Sequence, residues 1–416
     1  MSVLPVHAAA ELAARQSYGR LLAILSARTR DIAASEDALA DAFASALESW
    51  PRDGVPANPP AWLLTVARRN ILDQWRRSKV REDAAQTLVL LADEFADTPE
   101  GGAVMDERMR LMFVCAHPAI DAAARAPLML QTVLGLDVAR MAGPFLTSPA
   151  TLGQRLVRAK TRIRVAGIAF TNPLADELPR RLHDVQDGIY AAYGAGWEDV
   201  EGADSGRHGL TAEAIAMGRI LCEQMPHEPE PAGLLALMLF CESRADARRN
   251  SHGDYVPLDR QDTGAWNHVM LDEAELRMLK ASSMGRLGPF QLEAAIQSAH
   301  TQRRLGRDVP PAALVALYDG LLAFTPTLGA QVSRACALAN EEDPRSGLRA
   351  LAALQQQDPG GTARYQPWWA AQAHLLARAG CTAEAREAYQ KAIGMASHAA
   401  VKAYLTTMAE ALSTAQ

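Results

Sequence analysis

The chain has 416 residues, 49% of them hydrophobic, with a formal net charge of −6. That length predicts about two to four domains, each with a real core. The acidic balance excludes a protein coated in basic residues, while leaving positive charge free to concentrate on a few elements. Cys115, Cys222, Cys241, Cys336 and Cys381 stand singly, with no CxxC pair. They fit small buried side chains in a reducing compartment better than a disulfide framework or a metal site, so no metal or cofactor is expected. No apolar run reaches the length of a membrane span, and the N-terminus lacks a basic segment followed by an apolar core, so the reading is a cytoplasmic protein with no membrane partner.

In chain order, Leu12, Tyr18, Leu21, Leu22 and Leu25 fit one face of a helix over residues 11–30. Ser35 with Glu36 and Asp37 predicts a helix cap with acids in the first turn, and Leu39, Phe43, Ala46, Leu47 and Trp50 follow at helical spacing. The other face carries Glu36, Asp37, Asp41 and Glu48, an acidic surface available to a basic partner. Pro51 is expected to end this helix, and residues 52–60 read as a rigid loop. Pro60 then opens a basic amphipathic helix running to Arg81. Leu63, Val66, Ala67, Ile71 and Trp75 form its apolar side, and Arg68, Arg69, Arg76, Arg77, Lys79 and Arg81 outnumber Asp73 and Glu82. A solvated charged face and a polyanion-binding face both fit that pattern. Residues 83–105 are acidic, contain glycine and show no sustained period, which predicts a flexible linker.

Two helices follow over residues 108–116 and 122–134, the second capped at Asp121, then a short element over 138–142 and a break at Gly143 and Pro144. A last helix, capped at Thr147 or Ser148, places Leu152, Leu156, Ala159 and Ile163 inward and Gln154, Arg155, Arg158, Lys160 and Arg162 outward. Short helix, turn and basic helix make a helix-turn-helix. Its second helix opens with Ser148 and Thr151 and then presents Gln154, Arg155 and Arg158, side chains that reach base edges and phosphates.

Residues 178–416 are helical in pattern with short breaks, which predicts an α-solenoid. The clearest unit, Trp369 to Ile393, carries Ala373, Leu376, Ala385, Tyr389 and Ala392 at spacings that resemble a tetratricopeptide repeat, with Gln372 in place of the usual Leu and Ser397 in place of the usual Pro. The loop from Ser251 to Asn267 gathers Asp254, Tyr255, Asp259, Arg260, Asp262 and Trp266. It fits either a ligand or protein pocket, or a loop docked on its own scaffold through its aromatics. The ten histidines fall singly, and the sequence holds no GxxxxGK[ST], HExxH or GxSxG, so nothing supports an enzyme.

Three stretches, SEDALADAFASALESWP, NPPAWLLTVARRNILDQWRRSK and LTSPATLGQRLVRAKTRI, together resemble the two domains of extracytoplasmic-function (ECF) sigma factors. More narrowly, the chain is similar to the sub-group with a long C-terminal helical-repeat extension. The resemblance implies an all-α fold: a region-2-like domain over 1–82, the linker, a region-4-like helix-turn-helix over 106–172 and a tetratricopeptide-like domain over 173–416. It implies a subunit that directs core RNA polymerase to promoter DNA. Asp37, Asp41 and Glu48 would meet the polymerase. Trp62, Arg68, Arg69, Asn70, Gln74, Arg76 and Arg77 would hold the melted −10 strand, by stacking and phosphate contact. Ser148, Thr151, Gln154, Arg155, Arg158 and Lys160 would read the −35 duplex. Trp75, in phase with Ile71, is also a core candidate, as is Trp62. The extension implies regulation, with a regulatory protein on the repeats. Two departures stand out: Ala40 occupies a position where the family usually has Gln, and Gly143 with Pro144 interrupts a turn that is more often a continuous short helix. The competing readings are a helical-repeat adaptor with degenerate DNA-binding domains and an ordinary helix-turn-helix repressor, which leaves the first basic helix unexplained.

Overall fold

The computed structural model describes residues 6–79, 106–143, 145, 147–171, 173–174, 176–197, 205–307 and 309–414. Among them are 19 α-helices and no strand, so the fold is all-α as the patterning predicts. The expected linker over 83–105 lies outside the described residues. Contacts divide the chain into two compact units, Met1–Gln224 and Met225–Gln416.

The first unit begins with α1 (Val6–Thr29), α2 (Ile32–Asp53) and α3 (Pro59–Lys79). Leu21, Leu22 and Leu25 of α1, Leu39, Ala42, Ala46 and Trp50 of α2, and Leu63, Ala67 and Ile71 of α3 form one buried cluster. The apolar residues recur every three or four positions, so each helix has a single stripe to bury and the three stripes close on one another. Both boundaries of α2 differ from expectation. α2 starts earlier, at Ile32, because the Asp31 side chain accepts from the Ala34 N–H at 3.2 Å. Ser35 is buried inside the helix, and its hydroxyl donates to the Asp31 carbonyl at 2.8 Å. Pro51 does not stop α2 either: the helix runs on to Asp53 and ends where Gly54, at φ 84°, turns its N–H back to the Trp50 carbonyl at 3.0 Å.

Still in this unit, α4 (Glu107–Cys115), α5 (Ala122–Thr132), α6 (Val138–Ala142) and α7 (Pro149–Val165) each start at a side-chain cap: Asp106, Asp121, Asp137 and Ser148 respectively. The alternative cap at Thr147 is not used. Leu152, Leu156, Ala159 and Ile163 are buried, as the spacing predicts. α8 (Leu178–Trp197) and α9 (Ser205–Gln224), which sequence reading places at the start of the C-terminal domain, pack inside the first unit. Arg125 of α5 pairs with Asp184 of α8 at 2.8 Å, and Arg108 of α4 pairs with Glu213 of α9. Cys115 is fully buried, and burial pushes its thiol up to about 12. All five cysteines are free.

The second unit is built on α10 (Pro229–Glu242). Leu234 to Phe240 are buried without interruption, so this helix is apolar on every side and takes the centre, between α11 (His268–Ser282) and α12 (Pro289–Thr301). The Glu230 carboxylate of α10 accepts from the Phe290 and Gln291 N–H groups at 3.0 and 3.2 Å, capping α12 from a neighbouring helix. The loop from Ser251 to Asn267 docks on its own scaffold. Trp266 is buried, the Tyr255 ring meets Tyr404 edge-on at 5.6 Å, and the Asn267 N–H donates to the Ser243 carbonyl at 2.7 Å.

From α13 (Pro311–Phe324) onward, neighbours in sequence are neighbours in space: α14 (Leu328–Glu341), α15 (Pro344–Gln357), α16 (Pro359–Ala363), α17 (Gln366–Arg378), α18 (Thr382–Met395) and α19 (Ala399–Thr414). This is a helical-repeat-like region. Ala373, Ala385, Ala388 and Ala392 are buried between α17 and α18, where small side chains let two helices approach. Trp369 is half-buried beneath the Lys391 ammonium, 4.1 Å from the ring centroid. The deeply buried tryptophan of this region is Trp368, 1% exposed, whose Nε1 donates to the Leu351 carbonyl at 3.3 Å. We expect Trp368→Ala to destabilise the second unit by about 3–5 kcal/mol. Denaturant unfolding followed by circular dichroism checks this, and a loss below about 1 kcal/mol would show that the site collapses around the smaller side chain.

Candidate nucleic-acid and polymerase interface

On α2, positions 37, 41 and 48 share one side of the helix, and Asp37, Asp41 and Glu48 are all exposed. This acidic stripe lies opposite the Leu39, Ala42 and Ala46 face that enters the core. Glu36, one residue away, behaves differently. Its carboxylate accepts from Lys160 Nζ of α7 at 2.7 and 2.6 Å, and the two side chains are 20% and 10% exposed. Burial pushes the Glu36 carboxyl above its ordinary range; Lys160 pulls it back, and Asp37 and Asp31 add to the rise. The Tyr18 phenol of α1 is also pushed up, mainly by burial and then by the Glu36 charge.

α3 presents its residues in three bands. Leu63, Ala67 and Ile71 are buried; Thr65, Arg69 and Gln74 are exposed; Trp62, Arg68, Asn70 and Trp75 are half-buried. Trp62 packs edge-on against Trp50 with centroids 5.5 Å apart, and Trp62 and Trp75 both lean on the three-helix core. Each tryptophan therefore has a packing role along part of its ring. Arg69, 85% exposed, lies 3.9 Å from Asp73 one turn on, a spacing that orients the guanidinium without removing it from solvent. The Arg68 guanidinium is lowered from its ordinary value by burial and then by the nearby positive charge of Arg28 on α1. Arg28 thus adds to this basic side from a helix that sequence periodicity treats only as core. The Arg76 and Arg77 side chains lie outside the described residues.

α7 has two separate polar faces. Thr151, Arg155, Arg158 and Arg162 follow one another at i, i+4, i+7 and i+11, which stacks them on one side of the helix. Thr151, Gln154, Arg158 and Arg162 are exposed and Arg155 is half-buried. Ser148 serves the helix itself: its Oγ accepts from the Thr151 N–H at 3.2 Å and lies 2.8 Å from the Thr151 hydroxyl. Lys160, expected with the −35 readers, lies about 160° round the helix from Arg158 and Arg162 at roughly 100° per residue, and is spent on Glu36. Arg162, which belongs on the exposed stripe, is legible from its spacing alone. Gln154, Arg155 and Arg158 are thus brought together with Thr151 and Arg162, and Lys160 is not.

The comparisons with known proteins bear on this arrangement. The sigma-70 region 2 family matches residues 14–81, covering α3 and α2 and most of α1. A family of unknown function (DUF6596) matches residues 181–282, from α8 to α11. The chain is 35% identical over 396 residues to Uncharacterized protein R00370 of Rhizobium meliloti (strain 1021), covering 94% of this chain and 92% of that protein. It is 31% identical over 172 residues to Probable RNA polymerase sigma factor RfaY of Xanthomonas campestris pv. campestris, covering 38% of this chain and 42% of that one. No solved structure matches. The long match runs through both units, and the chain belongs to the same family as the Rhizobium protein, with a sigma-70 region 2 forming the first three helices.

Proposed function

We propose that this protein is a promoter-specificity subunit of the extracytoplasmic-function kind. It would bind core RNA polymerase, read −35 duplex DNA and hold the melted −10 strand. The observation that carries this reading is the sigma-70 region 2 match over residues 14–81, on a three-helix body with an exposed acidic stripe on one helix and basic, aromatic-flanked residues on the next. In this reading Asp37, Asp41 and Glu48 meet a basic groove of the polymerase. Arg69 and Gln74, with the exposed edges of Trp62, Arg68 and Asn70, meet the single strand, where stacking and phosphate contact cooperate. α6 and α7 act as a helix-turn-helix, with Thr151, Gln154, Arg155, Arg158 and Arg162 toward the major groove.

The second unit, with tetratricopeptide-like pairs such as α17 and α18, is a regulatory body in this reading, placed to receive a regulatory protein. α8 and α9 are tied into the first unit by the Arg125–Asp184 and Arg108–Glu213 pairs, so the division of labour falls after Gln224.

The direct test is transcription in vitro with purified core polymerase and a promoter library. Initiation from a subset of promoters is expected; no initiation, together with no capture of core polymerase, would end this reading. With a selected promoter, Arg155→Ala should weaken −35 duplex binding by about 1–3 kcal/mol and relax selectivity at one position. Unchanged affinity and selectivity would remove Arg155 from the readers. A chain ending at Gln224 should keep −35 duplex binding while its transcription output changes; loss of duplex binding by that chain, if folded, would contradict the assignment of a regulatory role to the second unit.

A further inference from the structure

Just past the end of α10, Arg244 is 7% exposed, a cation held inside the second unit. Its Nε donates to the Phe240 carbonyl at 3.1 Å, and its Nη2 donates to Gln297 Oε1 of α12 at 2.5 Å. Both acceptors are neutral, and among the described residues no carboxylate pairs with this guanidinium. The carbonyl end of α10 supplies roughly half a negative charge at most. Part of the cation is therefore uncompensated, and a buried charge without a counter-charge is costly to keep. A guanidinium also has five N–H donors, of which these bonds use only some.

Other donors converge on the same place. Arg248 lies one turn beyond Arg244, at the end of the short 3-10 turn Asp246–Arg248. The Val256 N–H donates to the Arg248 carbonyl at 2.7 Å, and Arg249 and Tyr255 pair as an antiparallel bridge, so the loop folds back and sets Tyr255 beside the arginines. On α12, His300 follows Gln297 by one turn and shares its side of the helix. Arg248, Tyr255, Gln297 and His300 are all half-buried, around an Arg244 that is fully so. Burial pushes the His300 imidazole down to about 4, with help from the Arg244 charge, which leaves it neutral near pH 7 with one N–H to donate. Burial raises the Tyr255 phenol, and Arg248 and Arg244 draw it back. Two acids lie nearby: Glu293 acts on the Cys241 thiol and Asp259 on Tyr255, and neither pairs with Arg244.

We propose that Arg244, Gln297 and His300, with Arg248 and the Tyr255 hydroxyl at the rim, form a binding site for an oxyanion, the phosphate or carboxylate group of a small molecule. The planar fork of Arg244 matches such a group geometrically and supplies the missing counter-charge in the same step. Neutral His300 and the Gln297 amide add donors without adding a charge that would have to be buried when the site is empty. The site rests on these side chains alone and does not depend on the sigma-factor reading.

The test is a titration of the full-length protein, isotope-labelled on its histidine rings, with sodium phosphate and with sodium succinate, each against sodium chloride at matched ionic strength. His300→Gln identifies the His300 signals in the nuclear magnetic resonance spectrum. At least one of the two oxyanions should shift those signals saturably, at millimolar concentration or below, while chloride leaves them in place; which of them does so separates a phosphate from a carboxylate ligand. Arg244→Lys keeps the charge and loses the fork, and should weaken that binding about tenfold or more. Tyr255→Phe keeps the ring against Tyr404, removes only the hydroxyl, and should weaken it severalfold in a protein as stable as wild type. The same anion should raise the thermal midpoint of the wild-type protein and leave that of Arg244→Lys where it is. A purely structural Arg244 predicts instead that this variant loses the same stability with and without the anion. No saturable shift with either oxyanion, a shift that chloride reproduces, or wild-type affinity in both Arg244→Lys and Tyr255→Phe would overturn the site.

Discussion

At Gly19 there is room for a hydrogen atom and nothing larger, because α1 lies directly on the Val133 carbonyl at the end of α5. That close approach makes α1 a shared wall. Leu21, Leu22 and Leu25 complete the region 2 core with α2 and α3, while Gly19 lies against the helices that lead to α7. Two bodies that the sequence separates by a stretch without period are thereby joined in one unit. The Glu36–Lys160 pair then ties one side of α7 to α2, while Leu152, Leu156, Ala159 and Ile163 bury another. The stripe of Thr151, half-buried Arg155, Arg158 and Arg162 is the side that remains. A half-buried ion pair of this kind contributes little net stability, since desolvation offsets most of the Coulomb attraction, but it punishes the loss of either partner. That asymmetry suits a contact that specifies an orientation.

Much of the fold is legible from periodicity. The apolar spacing of α2, α3 and α7 names most of the residues that pack into or against the core, Leu47 of α2 being the exception at 42% exposed, and Asp121 and Ser148 are caps by residue type and position. Local competition explains the boundary errors. Ser35 has the chemistry of a cap, yet Asp31 lies a turn earlier, immediately before Ile32, and setting buried Ile32 on the helix with Leu39 requires the earlier start. Pro51 loses one hydrogen bond near a helix end, which the remaining turn of α2 tolerates, and Gly54 supplies the stop.

The interfaces are less legible. Lys160 and Arg158 look equivalent in composition, and only the angular position of each on the helix separates a partner for Glu36 from an exposed guanidinium. Glu36 and Lys160 are 124 residues apart, beyond any local rule. The same holds for Arg125 with Asp184, which assigns α8 to the first unit although its sequence reads as the start of a repeat array. Trp62 and Trp75 show the limit of residue type as a guide. Their rings are suited to stacking on a base, and both also pack on the core edge, where each keeps part of its surface open.

The proposed role of α2 is to offer its acidic stripe to core RNA polymerase. Its most direct test is equilibrium binding of the full-length protein to core polymerase, comparing wild type with a variant carrying Asp37→Lys, Asp41→Lys and Glu48→Lys. These side chains are exposed and face away from the core, so the variant should fold. The variant should lose about tenfold or more in affinity, with a weaker dependence on salt in what binding remains. Binding equal to wild type, with the same salt dependence, would contradict it.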